Sequence, residues 1–246
     1  MIALLLAAPR LLALDGFVLA EHRNGSWAAV EPPAARLVRA GRLTWSPASL
    51  SRMPAPPITA GVSSEEAGYV GLYVQSEGMT GVYLSGTRPR RPRRIELLPP
   101  SDATYRGVLR RWLDRRGMPK SPARIARIAR TDLDGDGTKE VLIEARSRDD
   151  MPLVGFDAPS NDVDYSLVLL RALRDGRVVE LPLRFSRGNG PQGSADESKL
   201  RAIADFDADG RMDLLLGYRA WEAFGGELVA YRKGYARTLL VHGAAL

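Results

Sequence analysis

Acidic residues at alternate positions of a tight turn aim their carboxylates at one point, and such a point suits a hard divalent cation. Two stretches carry that pattern. They are Asp132-Leu133-Asp134-Gly135-Asp136-Gly137-Thr138-Lys139-Glu140 and Asp205-Phe206-Asp207-Ala208-Asp209-Gly210-Arg211-Met212-Asp213. In both, acids stand at loop positions 1, 3, 5 and 9, glycine stands at 6, and an apolar run follows directly. Glycine at 6 permits a backbone turn that a residue with Cβ resists. Calcium accepts roughly six to eight oxygen ligands in flexible geometry, so each stretch reads as a calcium loop.

The elements around the loops separate two kinds of calcium site. An EF-hand needs a bidentate Glu at position 12 and sits between helices. Position 12 here is Ile143 or Leu216, and position 8 is Lys139 or Met212. The runs Glu140-Val141-Leu142-Ile143-Glu144-Ala145-Arg146 and Asp213-Leu214-Leu215-Leu216-Gly217-Tyr218-Arg219 read as short strands. A calcium-responsive regulator of the EF-hand kind, which works by opening helices, is therefore disfavoured.

The strand–loop–strand layout resembles the calcium loops of FG-GAP and VCBS-type repeats, the blade units of integrin-α-like β-propellers. In the second copy Gly217 stands where that family has the first Gly of its GAP element, and Gly226-Glu227-Leu228-Val229-Ala230-Tyr231 is similar to its next strand. The first copy departs with Ile143-Glu144-Ala145, and neither copy follows a clear Phe-Gly. The resemblance implies two Ca²⁺ sites. One would use the side chains of Asp132, Asp134, Asp136 and Glu140 with the Thr138 carbonyl; the other would use Asp205, Asp207, Asp209 and Asp213 with the Arg211 carbonyl. Glu140 carries one methylene more than the family's aspartate, which points to coordination through water or a shifted affinity.

The chain that positions these loops has 246 residues, 45% of them hydrophobic, ordinary values for a globular core. Its formal charge is +6, and lysine occurs only at 120, 139, 199 and 233. The Arg, Ala, Leu, Gly and Pro bias fits a high-GC bacterial genome. Cysteine is absent, which excludes disulfides and thiolate sites. The apolar start, Met1 to Leu14, reads equally as a signal remnant or as a first strand, and no stretch has the roughly 18 apolar residues of a membrane-spanning helix.

Asn24-Gly25 between Phe17–Glu21 and Ser26–Val30 predicts a type I′ hairpin. Ser46 to Thr59 is rich in Pro and reads as a loop. Tyr69–Val74 and Gly81–Leu84 read as two strands joined through Glu77-Gly78. Arg88 to Arg94 holds the densest charge in the chain, and two prolines stiffen it into a solvated loop or a contact for an anionic partner. Ser101 to Gly117 is a helix by its apolar stripe, Tyr105, Val108, Leu109, Trp112 and Leu113. Ile125–Ala129 and Leu200–Ala204 read as strands, although Ala123–Arg130 and Glu197–Ala204 also read as short helices entering the loops, since Ile125/Ile128 and Leu200/Ile203 are three apart.

These readings predict a mainly β protein. Residues 1–119 form a β-rich N-terminal region ending in the helix, and residues 120–246 form two propeller-like calcium units; the alternative is a small complete propeller. No catalytic constellation is visible: GxSxG, HExxH, a phosphate-binding glycine loop and a Cys/His pair are all missing. His22 and His242 are isolated and read as packing residues. The expected function is calcium binding by a non-enzymatic, exported domain, periplasmic, cell-surface or secreted, that contacts a cell-surface protein or glycan rather than nucleic acid. The alternative is a calcium-dependent hydrolase acting on an anionic polymer.

Overall fold

The computed structural model describes residues 10–30, 42–48, 50, 56–66, 69–76, 79–86, 88–92, 94–149, 163–188, 195–220 and 223–245. The protein is mainly β, as its residue pattern predicts, with a single helix among the described residues. No helix among them is long and apolar enough to cross a membrane.

The N-terminal half forms one sheet from β1 (Arg10–Leu14), β2 (Phe17–Arg23), β3 (Ser26–Ala29), β4 (Leu43–Pro47), β5 (Ile58–Ala60), β6 (Val62–Glu66), β7 (Tyr69–Val74) and β8 (Val82–Ser85). The strand order is β5-β4-β8-β1-β2-β7-β6, with β3 beside β2. Only Gly61 separates β5 from β6, so the two ends of this order are one piece of chain and the sheet nearly closes into a barrel. Among the described residues it contains no further meander of four consecutive strands.

Strands buried on both faces read as continuous apolar runs, and Leu11 to Leu14 are such a run. Leu11 and Ala13 pack inside the barrel with Val18, Trp45 and Leu72. Leu12 and Leu14 pack outside it with Phe17 and Leu19. The start of the chain thus includes a core strand; residues 1–9 lie outside the described residues. Asn24 and Gly25 have φ of 49° and 77°, both left-handed as a type I′ turn requires.

Two local expectations change here. The Pro-rich stretch is bounded by real strands, β4 and β5, held by pairs such as Trp45 with Ile58. Strands β7 and β8 are not hairpin partners, because β1 and β2 lie between them in the sheet. Their joint at residues 77–78 lies outside the described residues.

The rest of the chain builds two antiparallel meanders. The first contains β9 (Glu96–Leu98), then, after helix α1 (Ala103–Asp114), β10 (Ile125–Thr131), β11 (Glu140–Arg146), β12 (Tyr165–Arg174) and β13 (Arg177–Arg187). The second contains β14 (Glu197–Ala204), β15 (Asp213–Arg219), β16 (Ala223–Arg232) and β17 (Tyr235–Ala245). The segments that also had helical spacing are the strands β10 and β14. Residues 150–162, between β11 and β12, and 189–194, between β13 and β14, lie outside the described residues.

The three sheets stack face to face. Leu12, Leu14 and Leu19 of the barrel meet Ala202, Leu215 and Leu228 of the second meander. The opposite face of that meander, with Leu200, Ile203, Leu214 and Val229, meets Ala129, Leu142, Val168 and Leu170 of the first. Gly226 sets the approach to the barrel, since a Cβ there would lie 2.6 Å from Leu19 Cδ1. On the far side, Val108, Leu109, Trp112 and Leu113 of α1 cover Ile128, Ile143, Leu167 and Leu169. The helix begins where Asp102 accepts the Thr104 and Tyr105 N–H groups at 2.9 and 3.3 Å, a standard N-cap. By packing, β9 and α1 belong to the first meander.

A buried charge also ties the meanders together. Glu144 on β11 accepts the Leu200 N–H of β14 at 3.2 Å, with the Arg127 guanidinium 4.0 Å away. Burial is the main cause that raises its carboxyl above the ordinary value of 4.5, and Arg127 only partly offsets it. The folded state therefore holds this proton more tightly than the unfolded chain, and the group withdraws stability as pH climbs above about 4.5. Glu144→Gln keeps an acceptor for Leu200 and removes the ionisation. Relative to the parent, this variant will gain stability in denaturant melts between pH 4 and pH 7; a pH-independent difference would remove Glu144 from the linkage.

Candidate metal centres

Each meander places one acidic loop between two neighbouring strands: β10 leads into Asp132 and β11 starts at Glu140, while β14 leads into Asp205 and β15 starts at Asp213. The antiparallel ladders β10–β11 and β14–β15 hold the loop ends side by side. Asp132, Asp134 and Asp136 each bring a carboxylate oxygen within 4.8 Å of the others, and so do Asp205, Asp207 and Asp209.

The two loops share a hydrogen-bond scheme. The first aspartate accepts the N–H of the glycine at position 6, Gly137 or Gly210, at 3.0 Å in both. The third, Asp136 or Asp209, accepts the N–H of Thr138 at 2.7 Å or of Arg211 at 2.9 Å. Positions 4 and 6 are left-handed in both loops: Gly135 and Gly137 have φ of 79° and 89°, and Ala208 and Gly210 have 66° and 89°. Ala208 adopts this conformation despite its Cβ, at a cost of about 1–2 kcal/mol. One backbone template therefore forms from two different sequences.

Position 9 separates them. The longer Glu140 side chain folds back, where Oε2 accepts the Leu133 N–H at 2.9 Å and Oε1 accepts the Tyr231 hydroxyl at 3.1 Å. Burial pushes its carboxyl up to about 7. Asp213 has no such partners. Its side chain is 0% exposed, and its nearest cation is Arg232, 3.5 Å from Oδ1. Neither of its carboxylate oxygens has a hydrogen-bond partner of full geometry, the Phe206 N–H at the position of Leu133 favouring its charged form only weakly, and Asp205 Oδ1 and Asp134 Oδ1 are likewise buried without a partner. Burial first, then the neighbouring charge of Asp207, raises Asp213 to about 7.

The turn between β16 and β17 joins the two centres, a feature the loop motif alone does not reveal. Lys233 donates its N–H to Asp134 at 2.8 Å, and Arg232 donates to Asp209 at 2.6 Å. The Tyr231 hydroxyl, besides reaching Glu140, accepts the Gly234 N–H at 3.0 Å. Directly between the loops, Met212 N–H meets Leu133 C=O at 2.9 Å. A signal for this turn does exist in the sequence: Lys233-Gly234 between two tyrosines has the form of a two-residue hairpin turn, and its φ values are 48° and 79°.

The arginine-rich segment also reaches both loops. Arg90 C=O accepts the Asp205 N–H, and Arg94 C=O accepts the Thr131 hydroxyl, each at 2.9 Å. The two histidines pack elsewhere, His22 against Trp27 and His242 against Phe17. Comparison with family models, curated proteins and solved structures finds no match to this chain.

Proposed function

We propose that the protein is a calcium-binding, non-enzymatic domain of an exported bacterial protein, whose two loops of FG-GAP/VCBS type each hold one Ca²⁺. The observation that carries this reading is the carboxylate of Asp213: fully buried, without a hydrogen bond of full geometry, and under the charge of Asp207 and Asp209. A buried polar group without a partner costs about 1–3 kcal/mol, and more when charged. A divalent cation would offset that cost through several oxygens at once, so the residues fit the ion.

In the second centre Asp205, Asp207, Asp209 and Asp213 would hold it, with the Arg211 carbonyl. In the first, Asp132, Asp134 and Asp136 would do so with the Thr138 carbonyl, and Glu140 would contribute directly or through water. The ion supplies neutralisation of clustered charge and a cross-link between strand ends. A chain without cysteine gains by this means what disulfides give other exported domains. The stiffened face then contacts a cell-surface protein or a glycan.

Metal titration of the chelator-treated protein will show two calcium equivalents, the tighter one in the second loop, where more oxygens lack partners. Asp213→Asn will abolish the tighter equivalent and leave the other. In EDTA this variant will melt no lower than the parent, because it removes a buried charge. Retention of both equivalents with parental affinity in Asp213→Asn would sink the proposal.

A further inference from the structure

Beside the second centre lies a groove of about 560 Å³ between the β2–β3 turn and β17, within the range of small-ligand sites, about 300–1,000 Å³. Its lining combines four chemistries. Asp207 and Asp209, two of the candidate ion ligands, form part of the wall. Arg237 stands exposed in it. Tyr235 is 58% exposed, and Trp27 is 9% exposed with its indole Nε1 buried below the surface. No carboxylate of the first loop lines this groove. In that loop Glu140 accepts the Tyr231 hydroxyl and Asp134 the Lys233 N–H.

We infer that this groove binds an acidic saccharide, a uronic-acid oligomer, through the ion of the second loop; the inference rests on the calcium reading above. Calcium completes its shell with carboxylate and hydroxyl oxygens, which a uronate offers together. Arg237 provides a planar fork for a second carboxylate. The Tyr235 ring, with the Arg174 guanidinium 4.7 Å from its centroid, offers its other face to sugar C–H groups. Asp205, 2% exposed and clustered with Asp207 and Asp209, has its Oδ1 buried without a partner, and this is the independent sign that the acids at the edge of the groove form an ion site rather than an acidic surface turn.

The test is calorimetric titration of trigalacturonate into the full chain, after a separate calcium titration of the same sample. Binding will occur in calcium and vanish in EDTA. Arg237→Ala will weaken it roughly 10-fold or more, the loss expected for one charged hydrogen bond. Arg219→Ala, which removes an exposed arginine outside the groove, will leave it unchanged. Calcium uptake without saccharide binding overturns this inference and leaves the ion reading standing. Absence of calcium uptake overturns both. Saccharide binding that survives EDTA, or equal binding of triglutamate or of neutral trigalactose, overturns the ion-bridged uronate site.

Discussion

Millimolar calcium will raise the melting temperature of the metal-free protein by roughly 10–20 °C. An ion that binds only the folded state at about 100 times its dissociation constant adds about 2.7 kcal/mol per site. A chain of this length shifts by about 2–4 °C per kcal/mol, and two sites give the range stated. Magnesium will give a smaller shift, because it demands near-octahedral geometry and gives up its water reluctantly. Asp134→Asn combined with Asp207→Asn will remove most of the response, since Asp134 and Asp207 each occupy position 3 of their loop. Melts with EDTA, calcium and magnesium check this directly. Equal curves in all three, from protein shown to be metal-free, would mean that the loops are acidic turns only.

Trp112→Ala will lower stability by about 3–5 kcal/mol, the usual result of emptying a large aromatic site. Trp112 is 1% exposed and fills the space between α1 and the first meander. Its ring meets Phe185 edge-on at 5.0 Å, and the Arg116 guanidinium covers it at 3.8 Å. Leu109, Leu113 and Tyr165 share its buried cluster, and removal of the indole leaves a cavity among them. Urea unfolding measures the loss. A change below about 1 kcal/mol would show that α1 does not seal the sheet as described. Because the helix lies on the face turned away from the second meander, calcium uptake by Asp213 and its neighbours will persist.

The sequence revealed what depends on near neighbours. Acid spacing picked out both loops, the three- and four-residue stripe picked out α1, and Asn24-Gly25 picked out a left-handed turn. The ambiguity over β10 and β14 has a physical cause. Each contains a register irregularity, between Ile125 and Arg127 and between Leu200 and Ala202. A bulge inserts one residue, so same-face positions that would recur every two residues recur after three. Ile125 with Ile128, and Leu200 with Ile203, therefore imitate a helical step while lying on a strand.

What stayed hidden depends on distant parts of the chain. The near-closure of the barrel needs β1 paired with both β2 and β8, and no local pattern encodes a partner on the far side of the sheet. The reach of Tyr231 to Glu140 spans 91 residues, and that of Lys233 to Asp134 spans 99. Local reading also treated Glu140 as one more ligand. Its carboxylate also accepts two protein donors, one of them from a distant strand, which local reading did not reveal.

The β16–β17 turn serves two masters. Arg232 faces the acids of one loop while the next residue, through its backbone, holds an acid of the other. A substitution there is felt at both centres, so the turn cannot drift as a surface hairpin ordinarily can. Were a descendant of this chain to abandon one acidic loop, only half of that constraint would lift. The turn's history would remain written by the loop that survived.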